Sequence, residues 1–535
     1  ISVGAEGIYM YSKDAVLNFS GNITADNQIG IVADGGTINA VGASAITVQN
    51  GGIGAYVKNA APAFGATAIN VQGGTSSKYS MGVYYDGVAA LGAAPVITQT
   101  GSYTIGMVLN NSTGTTAGGI SLGSAADNNQ VGVMAKGNSD PTIAGNFSVG
   151  GDKNIGVYGE SSQITANGNL SVGNSSASGN KSTSSIGVSL NGGTYTGAGD
   201  ISVGDYSIGI FSNNHCLGSS SLSNYTSYSH SLSKDTYGAG TGGAISANMS
   251  NITVGTDNAI GVYAKGMNSI VTGNMNIGAN TSVGIVSEGN GNVTYTGAMT
   301  IANKADKASV GIYKADGTGK ISTSAGNWSV GNSGYGIYVQ QVIITKDAGG
   351  NIISSTVTSN SATINNNVNM DLGMAAVGIY SNGKNIVTNT GNITVGETNV
   401  NGNHDDATKH ENSVGIYIGE GTVATSSGTI TVNHDHSVGV YGTGIGTKIT
   451  NGGTITVDKG GVGILVQKGA VAVNAGTINL GNVDSDYGAT TVGMAAYSGS
   501  SIINDTNGVI NVDKGSGMVA GIGAKFQNNG LITVK

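Results

Sequence analysis

The string Val414-Gly415-Ile416-Tyr417 returns as Val438-Gly439-Val440-Tyr441 and again as Val462-Gly463-Ile464-Leu465, each copy 24 residues after the last. Between copies lies a second motif, Gly428 to Val432 and Gly453 to Val457, built as Gly-Thr-Ile-Thr-Val. A weaker third signal, Lys448-Ile449, sits between the two. Apolar residues alternate at period 2 in all three places, and no 3.6-residue helical period is present. Three short strands per 24 residues, separated by Gly, Asn and Ser turns and lacking a hairpin return, read as one coil of a three-sided parallel β-helix.

Outward from this stretch the pattern runs through the chain. Marker glycines fall at 7, 30, 54, 82, 106, 132, 156, 187, 209, 261, 284, 311, 336, 378, 415, 439, 463, 493 and 517. The expected fold is therefore all-β: a continuous, right-handed, single-stranded parallel β-helix over residues 1–535, of about 19–20 coils. At roughly 4.8 Å per coil the rod would be on the order of 90 Å long. Side-chain alternation predicts that the Ile and Val flanking each marker glycine point inward, leaving the glycine and the residue two later outward. Asn22, Asn169, Asn251 and Asn392 occupy turns, where left-handed backbone and hydrogen-bonded ladders between coils are expected.

Composition agrees. The chain has 93 Gly, 3 Pro, 9% charged and 5% aromatic residues, without the triplet period of collagen. Ile and Val recur too regularly, and the net charge of −8 is too small, for a disordered chain. All 21 basic residues are Lys. With no Arg and a pI of 5.1, nucleic acid is a poor partner. Cys216 is the single cysteine, so no internal disulfide forms. No stretch approaches the roughly 18–20 apolar residues of a membrane-spanning helix, so this segment is not expected to insert in a membrane. The chain opens inside one repeat and closes after another, which reads as a piece of a longer protein.

Val377-Gly378-Ile379-Tyr380-Ser381-Asn382-Gly383 and Asn389-Thr390-Gly391-Asn392-Ile393-Thr394-Val395-Gly396 resemble the passenger repeats of large type V autotransporter adhesins, most of all the very long outer-membrane adhesins of fusobacteria. The resemblance covers nearly the whole chain, although the translocation barrel of that family is missing. It implies an extracellular stalk on the bacterial surface, anchored through a part not present here. Such a stalk would mediate attachment to host-cell glycans, host surface proteins or other bacteria, with a role in virulence and coaggregation.

Candidate sites follow from breaks in the period, because an insertion in a solenoid must leave as a loop. Residues 212–243 form an irregular coil or excursion rich in Ser and Tyr, with Tyr225, Tyr228, His230 and Tyr237 as candidate ligand contacts. The alternative is a degenerate coil whose weak marker is Tyr237-Gly238-Ala239. Residues 340–364 predict a projecting β-hairpin, with Val342-Ile343-Ile344-Thr345 and Ile352-Ile353-Ser354-Ser355 flanking a polar turn. Residues 397–412 are a polar insertion. His410, His434 and Asp458 recur at intervals of 24, which would stack them in one column with Glu411, Asp435 and His436 beside it. That set could hold a divalent metal such as zinc, or could be a solvated turn column. Otherwise no cofactor is expected.

The last candidate is an aromatic stripe. Tyr recurs two residues after the marker glycine at 9, 56, 84, 158, 263, 313, 338, 380, 417 and 441. Tyr313, Tyr338, Tyr380 and Tyr417 could stack against sugar rings, or could stack on each other and stiffen the wall. The leading expectation is a non-enzymatic adhesin. A β-helical polysaccharide lyase or hydrolase, or a plain spacer, is the alternative. Acids are sparse outside 404–435, so catalysis would have to reside near His410 and His434.

Overall fold

A computed structural model describes all residues except 1–6, 66, 92–94, 117–119, 123–126, 177–183, 214–242, 304–306, 347–351, 399–411 and 482–489. Among the described residues the regular structure is strand, and no helix is long and apolar enough to cross a membrane. The chain divides into two compact units, Ile1–Thr272 and Gly273–Lys535.

One coil of the second unit shows the plan. A marker strand Val438–Thr443 is followed by a second strand Lys448–Asn451 and a third, Thr454–Val457. Each pairs in parallel with its counterpart one coil on: Val438 with Val462, Lys448 with Val471, Thr454 with Thr477. The first unit is built the same way, with Ile155 paired to Ile186 and Leu170 to Ile201. The chain is a parallel β-solenoid of about 17 turns, close to the number its markers predict. Alternation makes the core: Ile455 and Val457 are buried and stack on Ile478 and Leu480, while Thr456 faces out.

The marker glycine departs from the expected alternation. Gly439 and the following Val440 are both buried, where strict alternation would turn the glycine outward; the position before the glycine varies, buried at Val414 and Val438 and half-buried at Val310, Val377 and Val462. The reason is a close approach. A Cβ on Gly439 would stand 2.6 Å from the carbonyl oxygen of Gly463 in the next coil and 3.2 Å from Val432 Cγ2 in the core. In the first unit a Cβ on Gly54 would meet the Gly82 oxygen at 2.5 Å. The glycines stack carbonyl against missing side chain; of the two neighbours expected to point inward, the residue after the glycine is buried at Val440 and Ile464, and the residue before it is buried in some coils and half-buried in others. Register also displaces the first copy of the motif: Ile8 pairs with Ile29 and Tyr11 with Val32, which sets Tyr11 rather than Tyr9 in the aromatic position.

A polar ladder seals the corner between second and third strands. Asn451 donates to Asn474 (2.8 Å), Asn474 to Asn504 (2.9 Å) and Asn504 to Asn528 (2.8 Å), and the first three are buried. Asn366 donates to Asn389 in the same way, and each also donates to a carbonyl within its own turn. Buried amides of this kind are tolerated because every donor finds an acceptor. The turn asparagines singled out from sequence do something else. Asn169 and Asn392 are exposed, none of the four has positive φ, and their side-chain oxygens accept backbone N–H groups of the next coil.

With that corner closed, insertions leave elsewhere. In the second unit two to four residues connect second to third strands. The segment 341–362 instead lies between a marker strand, Tyr335–Gln340, and a second strand, Thr363–Asn366. It carries an antiparallel hairpin, Val342–Lys346 with Ile352–Val357, that joins no other sheet. Segments 396–413 and 481–491 lie between third and marker strands. In the first unit, 214–243 follows the marker strand Ile208–Asn213. Ile208 pairs directly with Ile260, and the weak marker Tyr237-Gly238-Ala239 lies outside the described residues.

The glycine stack predicts a sharp contrast. Gly439→Ala should destabilise by about 1–3 kcal/mol or more, from forced overpacking. Gly452→Ala, whose new Cβ would have no heavy atom nearer than 3.8 Å, should stay within about 0.5 kcal/mol. Urea unfolding of the two variants checks this; equal losses would mean that the close approach is not what requires glycine.

Candidate binding face

The outward side of the marker strands lies between the two insertion-bearing corners. In the second unit it carries a tyrosine column set by register: Tyr313 pairs with Tyr338, then Tyr380, Tyr417 and Tyr441, and the run ends at Leu465. Ring centroids of Tyr338 and Tyr380 are 4.5 Å apart with planes 7° from parallel; Tyr380 and Tyr417 are 4.7 Å apart at 9°. Tyr417 and Tyr441 follow at 5.0 Å and 23°, and Tyr313 tilts against Tyr338 at 5.6 Å. Tyr335 meets the faces or edges of Tyr338 and Tyr380 near a right angle.

This geometry decides what the stripe offers. Each ring is half-buried and its faces are taken by its neighbours, so the π-faces are not open for a sugar to stack on. Ring edges and hydroxyls remain. Tyr338 donates to Gln340 two residues on (2.9 Å). Burial pushes the Tyr338 phenol up to about 12 and raises those of Tyr380, Tyr417, Tyr313 and Tyr441, with the Glu288 charge adding to Tyr313. All five are neutral hydrogen-bonding groups near neutral pH.

The first unit carries a shorter version. Tyr56 stacks on Tyr84 at 5.3 Å, and Lys136 lies 5.3 Å from the Tyr84 ring centroid. Further along, the same outward position holds Val108, Met134 and Tyr158, buried and packed with Ile105 and Val131, and then Phe211, buried against the Tyr263 ring at 5.1 Å.

The remaining candidates do not converge. Tyr225, Tyr228, His230, Tyr237, His410 and Glu411 lie outside the described residues. His434 and Asp458 are described but not aligned as a 24-residue count implies. Val432 pairs with Val457, an offset of 25, so Asn433 rather than His434 stands opposite Asp458. A one-residue slip changes which side chain faces which way. The His434 carbonyl closes the following turn by accepting from Ser437, and His436 has a left-handed backbone (φ 59°). Among the described residues no group of three or more His, Cys, Asp or Glu could hold a metal ion.

One residue of this face's own strands was not anticipated. Lys314 occupies an inward position between Ser287 and Val339 and is buried. Its ammonium donates to the carbonyls of Gly289 (2.8 Å) and Gly291 (3.2 Å) and to Ser287 Oγ (3.4 Å). Burial pushes it down to about 8, against a smaller opposing pull from Asp316. Alternation from Ile312 would have shown it pointing inward.

The chain is thus a parallel β-solenoid with one sealed corner, two insertion-bearing corners and a patterned face between them. Residues 446–508 match the family described as the BigA third pectate lyase-like domain, across the regular coils that carry the asparagine ladder. No curated protein matches the chain.

Two titrations follow from these groups. Lys314 ionises lower in the fold than its usual 10.5, so the unfolded chain binds more protons between about pH 8 and 10.5. Stability should therefore rise across that window, by on the order of 3 kcal/mol for this group alone. The tyrosines act oppositely: their stabilisation is complete below pH 10 and is lost as pH climbs through 10 towards 12. Denaturant unfolding should show the rising limb in the wild type and not in Lys314→Met. Phenolate absorbance should show the column titrating above the ordinary tyrosine value of 10. An early titration of Tyr338 and Tyr380 would contradict the stacked, desolvated column.

Proposed function

We propose that this chain is an adhesive segment of an extracellular bacterial passenger, displayed at the cell surface by a part of the protein outside this sequence. The observation that carries the reading is the placement of insertions. The corner sealed by Asn366, Asn389, Asn451 and Asn474 admits only short turns, whereas the long segments flank the marker face. Solenoids build binding surfaces by such one-sided elaboration. The resemblance to the fusobacterial adhesins and the match to a BigA domain, BigA being an autotransporter-like adhesin, support the same class.

Partners of this reading are host-cell glycans, host surface proteins or the surfaces of other bacteria. With the tyrosine faces occupied, a glycan would be held by hydroxyls, ring edges and loop groups rather than by stacking on an open ring. The reading calls for no cofactor. The words "pectate lyase-like" in the matched family's description favour one second reading, a polysaccharide-processing β-helix acting near His410 and His434. It requires acid and base groups on neighbouring coils, and the slipped register at Asp458 weighs against them.

Replacing residues 342–357 by a short turn, or deleting 214–242, should abolish attachment to glycan arrays, epithelial cells or partner bacteria in at least one case. The thermal unfolding midpoint should move by no more than about 2–4 °C, because the marker ladder runs directly from Ile208 to Ile260 and from Tyr335 to Val377. Attachment that survives both deletions together would end this reading. Release of unsaturated or reducing ends from a polysaccharide, lost in His434→Ala, would replace it with the enzymatic one.

A further inference from the structure

The outward side of the third strand carries a recurring tripeptide. In the first unit its copies include Asn146-Phe147-Ser148, Asn169-Leu170-Ser171 and Asn251-Ile252-Thr253; in the second, Asn327-Trp328-Ser329 and Asn392-Ile393-Thr394. Each is an Asn-x-Ser/Thr acceptor sequence for N-linked sugar. We propose that these asparagines are N-glycosylation sites, forming a carbohydrate-bearing stripe on the third-strand side of each unit. This inference does not depend on the adhesive reading.

The fold presents the tripeptide in one orientation. The middle residue is a core residue: Phe147 stacks on Leu170, and Trp328 on Met370 and then Ile393, all buried. Period-2 alternation then sends both the asparagine and the hydroxyl residue outward. Asn146, Asn169, Asn251, Asn327 and Asn392 are exposed, as are Ser148, Ser171, Thr253, Ser329 and Thr394. An enzyme reading Asn and Ser/Thr together would meet both from solvent.

The amides are also turned for modification. Asn146 Oδ1 accepts the backbone N–H of Asn169, whose own Oδ1 accepts that of Asp200. Asn392 Oδ1 accepts the N–H of Thr429, and Asn327 Oδ1 accepts from Asn369 Nδ2. The oxygen is thus the anchored end of the amide. The nitrogen, the atom that a sugar would join, makes no hydrogen bond within the described residues at Asn146, Asn169 or Asn392. Glycosylation there leaves the inter-coil ladder intact, whereas a sugar on buried Asn451 or Asn474 would destroy the corner.

In the transfer, the Nδ2–C1 bond forms as the bond from sugar C1 to the donor's diphosphate oxygen breaks. The amide proton passes to a base of the transferring enzyme, and the diphosphate departs as leaving group. Donor and enzyme come from outside this chain; a nucleotide-activated hexose and a lipid-linked oligosaccharide share this chemistry.

Spacing sets the occupancy. Adjacent coils are about 4.8 Å apart, less than the width of a sugar ring, and Asn146 and Asn169 are on adjacent rungs. Only one of that pair should carry sugar in any one molecule. Asn251 is separated from Asn169 by the rung of Asp200, and Asn392 from Asn327 by that of Asn369, so these can be filled together.

The test is intact-mass and peptide mass spectrometry on protein isolated from the organism that produces it. Purified unmodified protein incubated with a soluble N-glycosyltransferase and a nucleotide-activated hexose provides a second arm. The expected result is sugar on Asn251, Asn327 and Asn392 and on one of Asn146 and Asn169. Single-hexose increments would mark a nucleotide-sugar donor; a preassembled block would mark a lipid-linked one. Thr394→Ala keeps Asn392 and its hydrogen bond but removes the acceptor sequence, so sugar at Asn392 should fall at least tenfold while the other sites stay filled. Five unmodified asparagines in both arms, or sugar at Asn392 that persists in Thr394→Ala, would overturn the proposal.

Discussion

Everything in this solenoid depends on how closely one coil can lie on the next. The marker glycine is where that limit is set, because the next coil's carbonyl oxygen stands where its Cβ would be. Removing the side chain lets the marker strand shift towards the core without a clash. The residue after it can then bury, and the tyrosine two later stays half-exposed. The glycine's role here is steric permission for a backbone contact, not a left-handed turn.

The other two sides use different means to the same end. The third strand alternates strictly, so Ile and Val fill the core and Thr or Ser forms the exterior. In the second unit the second strand ends in a buried asparagine at Asn366, Asn389, Asn451, Asn474 and Asn504, whose amide spans to the next coil or back to its own turn. Such a corner has no room for an inserted loop, and evolution of a binding surface is confined to the other two. Structural economy and functional placement are linked through this one residue position.

Lys314 shows how far the interior tolerates exceptions. A buried ammonium would be costly unpaired, yet three oxygens of the neighbouring coil meet it, and its depressed ionisation reports the residual cost. The tyrosine column is an exception of the opposite kind, an apolar material kept half outside. Its rings shield each other face to face, which limits the apolar area left to solvent and stiffens the wall.

The repeat, the three strands, the parallel ladder and the hairpin at 342–357 were all legible from the sequence, because side-chain period and glycine spacing are local and recur many times. The tyrosine column was legible as a column. Whether its members face a ligand or each other was not, since this depends on inter-coil distance and ring tilt. The His434–Asp458 alignment failed for a related reason: a constant interval in sequence says nothing about a residue gained in a turn, and only the pairing of Val432 with Val457 reveals it. The buried Asn451–Asn474–Asn504 ladder could be read only as turn asparagines, because burial is a property of the corner and not of the residue. The sequence by itself determined that this chain coils and which residues fill its core. The tertiary structure alone decided which faces are closed, which corners open, and which polar atoms are left pointing at solvent, because those follow from contacts between coils more than twenty residues apart.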